Sequence, residues 1–290
     1  MKCAYHICFI GGDERQRYAA ETLADYIDVN AVGSAFNYIN NTHITRYENP
    51  LKAVYESKAI VLPLPAAASE SIISFSEIAD LITKSDSRVF LLGGKFSPYL
   101  KGIIQNYRIE YVDYYEDEVF TVKNAYLTAE GAMQLAMSAI KGSIRFSKCA
   151  VIGYGRIGSA LADMLQAVGA EVTVFARRSE SLVWAEEKGM KIKKIDNERL
   201  DILDTSDNYE IIFNTVPERI IHNEDLLGIP SDTVLIELAS PPGGFDAAIA
   251  EQCEIKYING GGIPGKYAPK TAGRIVGDTI LNYLKKEGIL

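Results

Sequence analysis

Histidine, cysteine and tryptophan are scarce in this chain: three, four and one among 290 residues. So few histidines, with no His-x-x-His or His-Glu-x-x-His spacing, argue against a histidine-built metal centre. The cysteines, Cys3, Cys8, Cys149 and Cys253, form no Cys-x-x-Cys pair and are too scattered for a disulfide framework. Cys8 and Cys149 stand in apolar, strand-like runs and read as buried thiols. Basic excess is missing as well. Lys and Arg number 30 against 38 Asp and Glu, a net charge of −8, so a general nucleic-acid binder is not expected. The longest apolar stretch, Ala59 to Ala68, is too short to span a bilayer and holds Pro63 and Pro65. The N-terminus leads into Tyr5–Ile10 without a signal-peptide layout. The expectation is a cytosolic protein with no membrane contact.

What is present is an ordinary globular composition, 48% hydrophobic and 23% charged, at a length that suggests two domains. Short apolar runs alternate with helix-period segments, the pattern of parallel α/β sheets. Strands are expected at Tyr5–Ile10, Ala59–Leu62, Val89–Leu92 and Ile109–Tyr111. After the first comes Gly11-Gly12-Asp13 and a helix with Ala19, Leu23, Ala24 and Ile27 on one face. A linker helix is expected over 128–143, with Thr128 as N-cap and Glu130 in its first turn. The second half offers strands at Cys149–Ile152, Val172–Phe175, Ile211–Phe213, Val234–Leu238 and Ile255–Ile258. A last helix opens near Thr271. The architecture predicted is two Rossmann-like, doubly wound parallel-sheet domains joined by long helices, with a cleft between them. Residues 1–127 form the substrate domain and 144–270 the nucleotide domain; the helix over 271–290 packs back onto the first.

The motif with the clearest chemistry is Gly153-Tyr154-Gly155-Arg156-Ile157-Gly158, directly after a buried-looking strand and opening a helix. In that setting Gly153 makes the tight turn, Gly155 admits a pyrophosphate to the backbone, and Gly158 lets the helix pack on the strand. The helix start then offers its N–H groups to the anion. An NAD-specific domain usually places an acid after the next strand to hold the ribose 2′-hydroxyl. Here Ala176 stands in that place, followed by Arg177, Arg178 and Ser179, cations and a hydroxyl suited to a 2′-phosphate. NADP(H) is therefore expected over NAD. Asn214-Thr215-Val216-Pro217 and Glu237-Leu238-Ala239-Ser240 follow later strands and read as backbone contacts to the nicotinamide riboside or as ordinary αβ loops. Gly260-Gly261-Gly262, before Lys266, reads either as a close ligand approach or as a hinge.

With these segments the sequence resembles the A subunits of dipicolinate synthases from spore-forming bacteria. The likeness runs over nearly the whole chain. It rests on Gly11-Gly12-Asp13-x-Arg15, on Asn124-Ala125-x-x-Thr128-Ala129-Glu130-Gly131-Ala132, on the Gly153–Gly158 loop and on Glu237 to Gly244. The most particular segment is Pro264-Gly265-Lys266-x-Ala268-Pro269-Lys270-Thr271-Ala272-Gly273. The resemblance implies an oxidoreductase that works with a flavoprotein-like B subunit in the cytoplasm of the sporulating mother cell. Together they would oxidise a dihydrodipicolinate-type intermediate to dipicolinate (pyridine-2,6-dicarboxylate). Homo-oligomers of the chain are also expected.

A dicarboxylate needs cations and backbone donors. Arg15 and Lys95 follow glycine turns at strand ends of the first domain, and Lys266, Lys270, Thr271 and Arg274 surround the start of the last helix. Each also reads as a solvated surface residue. Aromatisation requires a base; the candidates are Glu130 and Asp13, which read equally as a helix-dipole partner and a helix cap. His43 and His222 match no motif. A D-2-hydroxyacid dehydrogenase shares the two-domain plan, but its Pro-His segment is missing here. A shikimate-dehydrogenase-like enzyme would share the arginines after the second strand of the nucleotide domain, but its substrate-domain Lys and Asp motifs are not seen. A non-catalytic NADP-sensing subunit would share the nucleotide domain and turn nothing over.

Overall fold

The computed structural model describes residues 6–84, 88–195 and 208–290; Cys3 and Tyr5 lie outside them. The chain divides into two compact units, Met1–Asn124 with Ala268–Leu290, and Ala125–Tyr267. In the first unit β1 (His6–Ile10) turns through Gly11-Gly12-Asp13 into α1 (Glu14–Ala24). There follow β2 (Asp28–Val32), β3 (Ile44–Arg46), α2 (Pro50–Tyr55), β4 (Ala59–Val61), α3 (Phe75–Lys84), β5 (Phe90–Gly93), α4 (Pro98–Tyr107) and β6 (Tyr111–Asp113). The strands pair in parallel in the order β3-β2-β1-β4-β5-β6.

Both faces of this sheet are covered, as parallel pairing requires. Alternate residues of the central strands divide between two cores. Ile7, Phe9, Ala59 and Val61 pack with Ala19, Ala20 and Leu23 of α1. Cys8, Ile10, Ile60 and Leu91 pack on the other face with Phe75, Ile78 and Leu100.

The helix expected over 128–143 starts ten residues earlier, as α5 (Glu118–Ala139). Asp117 sets the start: its Oδ1 accepts the Phe120 N–H at 2.8 Å. Thr128 is therefore buried mid-helix and caps nothing, and Glu130 is an exposed mid-helix residue outside the first turn. From Ala125 onward α5 belongs to the second unit, where Ala129, Ala132 and Ala136 enter the core beside Cys149, Val151 and Leu161.

The second unit repeats the plan. β7 (Lys148–Ile152), α6 (Arg156–Ala167), β8 (Glu171–Ala176), α7 (Ser179–Glu187) and β9 (Lys191–Lys194) come first. Then follow β10 (Ile211–Asn214), α8 (Asn223–Gly228), β11 (Val234–Glu237), α9 (Ala247–Gln252), β12 (Lys256–Asn259) and α10 (Ile263–Tyr267). Its parallel sheet has the order β12-β11-β10-β7-β8-β9. The fold is thus two doubly wound α/β units. Each has a switch point, between β1 and β4 and between β7 and β10, where the chain reverses its direction across the sheet. Ligands of such sheets bind outside the strand carboxyl ends at these points.

The chain ends in α11 (Pro269–Lys286), which packs on α1. Two glycines allow the approach. A Cβ at Gly273 would stand 2.5 Å from the Arg15 carbonyl oxygen and from Tyr18 Cβ; one at Gly277 would stand 2.8 Å from Thr22 Cβ. Gly273→Ala should therefore lower stability by about 1–3 kcal/mol through overpacking against backbone. Gly102→Ala, inside α4 with no atom within 4 Å of the added carbon, should raise it by roughly 0.4–1 kcal/mol. Urea melts of the two variants check whether they move in opposite directions.

Candidate functional site

In the second unit the loop between β7 and α6 places its three glycines under three different constraints. Gly153 has φ +92°, and a Cβ there would meet Thr215 Oγ1 and Val216 Cγ2. Gly158 lies against the Gly153 carbonyl oxygen, where no side chain fits. Gly155 has no atom within 4 Å of where its Cβ would be. It is the N-cap of α6, and no side chain caps that helix. Two glycines are therefore needed for packing and the third leaves a space open at a helix N-terminus, which suits a dinucleotide pyrophosphate. Tyr154 and Ile157 pack against the core of the unit, and Arg156 is exposed.

After β8, Ala176 is buried whereas Arg177, Arg178 and Ser179 are exposed. Arg177 donates to Glu218 at 2.8 and 3.3 Å. Arg178 makes no ion pair among the described residues.

The ends of β10 and β11 are bound together by a buried bridge. Asn214 Nδ2 donates to Glu237 Oε1 at 2.7 Å and to the Val216 carbonyl at 2.9 Å. Asn214 Oδ1 accepts the Val216 N–H. Glu237 further accepts the N–H of Ala239 (2.8 Å) and of Gly244 (2.8 Å). Burial raises the Glu237 pKa, and these donors hold part of that rise back. Thr215 Oγ1 donates to the Ile152 carbonyl, while Pro217 and Ser240 stay partly or fully exposed and Leu238 joins the core. The two loops expected to meet the nicotinamide are thus held by side chains rather than by sheet bonds alone. Sequence reading treated them as backbone contacts and missed the Asn214–Glu237 pairing, whose one signal was a polar residue closing each apolar strand.

The first unit has a matching arrangement with different chemistry. Asp13 caps α1, accepting the Arg15 N–H at 2.9 Å. It also accepts Arg15 Nε (2.9 Å) and Nη2 (2.7 Å), and that same Nη2 donates to the Leu64 carbonyl (2.8 Å). Burial would raise the Asp13 carboxyl, but the hydrogen bonds and charge of Arg15 outweigh it and hold it below the usual range. After β6, Asp113 accepts the backbone N–H groups of Lys95 (2.8 Å), Phe96 (3.0 Å) and Tyr115 (3.0 Å). Lys95 is thereby held at φ +59°, a left-handed conformation, with its exposed side chain over the Tyr115 ring. Tyr114 is fully buried, and burial pushes its hydroxyl up, opposed by the charge of nearby Arg15.

The other expected substrate residues fall in different units. Lys266 lies exposed on α10 in the second unit, whereas Lys270, Thr271 and Arg274 belong with α11 to the first. Lys270 and Arg274 line a groove of about 270 Å³ with Tyr18, Thr22 and three acids, Glu21, Asp25 and Asp278. Acids there outnumber cations, so its field does not favour a dianion. Gly262, at φ +74°, precedes α10, and a Cβ on Gly260 would meet Leu238. His43 pairs with Asp28 and His222 caps α8. Among the described residues no cluster of His, Cys, Asp and Glu could hold a metal ion, and no helix is long and apolar enough to cross a membrane.

Comparison with known proteins bears on both units. Residues 6–115 match the N-terminal domain of the dipicolinate synthase A subunit, and residues 122–240 match the NAD-binding domain of D-isomer-specific 2-hydroxyacid dehydrogenases. The chain is 30% identical to the dipicolinate synthase A subunit of Bacillus subtilis, over 98% of this chain and 97% of that protein. It is also similar to the crystal structure of the dipicolinate synthase A subunit from Bacillus halodurans, with a TM-score of 0.83 and 29% identity over 97% and 98% of the two chains. A transhydrogenase from Sinorhizobium meliloti shares the fold alone, with a TM-score of 0.71 and 13% identity over 97% and 94%. The second unit thus holds an NAD(P)-binding domain of dehydrogenase type.

The glycine geometry predicts separable effects. Gly155→Val fills the open space and should abolish NAD(P)H binding while leaving the far-UV CD spectrum and Tm close to the parent's. Gly158→Ala forces a carbon into the Gly153 carbonyl and should lower Tm and binding together. Fluorescence titration with NADH and NADPH, beside thermal melts, measures both.

Proposed function

This chain belongs to the family of dipicolinate synthase A subunits, and from that premise we propose that it is the nicotinamide-dependent component of a dipicolinate-forming oxidoreductase. The observation that carries the reading is the glycine turn at β7–α6, open at Gly155 and closed at Gly153 and Gly158. The chemistry a bound nicotinamide would supply is hydride acceptance, and the proton that a dihydrodipicolinate-type ring also loses on becoming aromatic would pass to water. The Gly153–Gly158 turn binds the pyrophosphate, and the Asn214–Glu237 bridge fixes the loops that orient the nicotinamide end. Arg15, supported by Lys95, takes a carboxylate of the substrate. Asp13 serves to hold Arg15, because a carboxylate kept below its ordinary range by its cation is a weak base near neutrality. A flavoprotein-like second subunit completes the enzyme.

The preferred cofactor in this reading is NADP(H). With Ala176 in the acid's place, the end of β8 itself offers no carboxylate to a 2′-hydroxyl, and Arg177, Arg178 and Ser179 stand exposed beside it. The Arg177–Glu218 pair is half exposed on both sides, so opening it for a phosphate costs at most about 1 kcal/mol.

Two measurements test these points. Incubating the full chain with dihydrodipicolinate and NADP, with and without the second subunit, should yield reduced cofactor and dipicolinate; cofactor binding without turnover in either mixture would favour a sensing role. In titrations, Arg177→Ala should weaken NADPH about tenfold or more and leave NADH nearly unchanged. Glu218→Gln, which frees Arg177, should tighten NADPH. Equal affinity of the parent for NADH and NADPH would end the NADP assignment.

A further inference from the structure

Two buried donors at the carboxyl end of the first sheet have no acceptor. Gln16 and Tyr114 are 2% and 0% exposed, and neither Gln16 Nε2 nor the Tyr114 hydroxyl has a hydrogen-bond partner. Burying a hydrogen-bonding group without a partner is costly, so two at one end of one sheet need a reason. Gln16 belongs to the switch point between β1 and β4, whereas Tyr114 follows β6 and reaches toward it through the Gly94 turn, beside Leu64. Gln16 Cγ packs against Gly12, and Pro63 Cβ stands 3.1 Å from where a Gly12 Cβ would lie. Tyr114 turns its hydroxyl end to the β5 turn: a Cβ at Gly94 would stand 2.9 Å from its Cζ and 2.8 Å from Leu64 Cδ1. The carbonyl of that same Leu64 holds Arg15 Nη2. Arg15 Nε and Nη2 are engaged, but Nη1 has no partner among the described residues.

We propose that Gln16, Tyr114 and Arg15 Nη1 form a carboxylate-binding subsite at the β1–β4 switch point of the first unit. Gln16 Nε2 and Arg15 Nη1 can only donate, and the Tyr114 hydroxyl donates as readily as it accepts, so an acceptor ligand answers all three. Asp13 already offsets most of the Arg15 charge and caps α1, so the subsite suits one carboxylate and repels the multiply charged phosphates that the Gly153–Gly158 turn accepts. The inference rests on the proposed function only in taking this carboxylate to be one of the substrate's two. It adds two specificity-determining residues that charge-based reading of the sequence does not reach.

The test uses the full chain and its Tyr114→Phe and Gln16→Leu variants. Each replaces an unpartnered polar group by an apolar one of similar shape, so Tm should stay level or rise. Calorimetry then measures pyridine-2,6-dicarboxylate, picolinate, malonate, inorganic phosphate and NADPH. Each variant should weaken the carboxylates about tenfold or more and leave NADPH unchanged. Carboxylate affinities equal to the parent's in both variants would overturn the subsite while leaving the proposed function standing. If the parent binds malonate, in a Tyr114-dependent way, but not pyridine-2,6-dicarboxylate, the subsite stands and the proposed function falls. Binding of phosphate in preference to every carboxylate, or of no carboxylate at all, overturns the subsite.

Discussion

The loops that follow parallel strands have no ladder to hold them, yet open α/β sheets bind their ligands outside the strand carboxyl ends. Here one buried carboxylate in each unit supplies the missing constraint. Asp113 accepts three backbone N–H groups from the loops after β5 and β6. Glu237 accepts two, together with the Asn214 amide, and so binds the loops after β10 and β11. Charge-assisted hydrogen bonds are about twice as strong as neutral ones, and a carboxylate with several donors can remain buried. Lys95, in its left-handed conformation, is among the residues whose N–H groups Asp113 holds. Without Glu237, the Asn214 side chain would lose the partner that sets its orientation toward Val216.

The two switch points share a topology and differ in their helix caps. Gly155 gives α6 no side-chain cap, so the positive end of the helix faces an open space. Asp13 caps α1 with its own negative charge and binds Arg15 as well. The macrodipole that attracts a pyrophosphate at the second point is thus largely answered at the first before any ligand arrives. The two helix starts thus differ by one acidic cap, which leaves the first already balanced and the second able to take up a negative charge.

Much of this plan was legible in the sequence because it is written in local patterns. The apolar runs at β1, β4, β7, β10 and β11 are continuous, as strands covered on both faces must be, β8 is interrupted only by Thr173, and the glycine turn carries its own spacing. The strands that escaped notice lack that signal. β2 holds a buried Asn30 that needs Ser57 as its partner, β3 has three residues, and β9 reads Lys-Ile-Lys-Lys at a sheet edge. The start of α5 was missed because Lys123 and Asn124 interrupt its apolar face, while the residue that sets it, Asp117, acts through a cap. The site divides in the same way. Gly153, Gly155 and Gly158 declare themselves by sequence, whereas the Asn214–Glu237 bridge and the Arg15–Leu64 contact join residues far apart in the chain.

The last segment of the chain returns to the first unit, so Lys270, which by order alone continues the nucleotide unit, stands with Arg274 on the helix expected to pack there. Gly273 and Gly277, one helical turn apart, give α11 a smooth face that only a close partner can use, and α1 is that partner. The same contact runs alongside Arg15 and Tyr18 and so buttresses the helix whose first turn carries Asp13, Arg15 and Gln16. The last segment of the chain therefore acts on the first site mainly through packing. It fixes the backbone from which Arg15 reaches Leu64, while its own cations look into a groove that Glu21, Asp25 and Asp278 keep acidic.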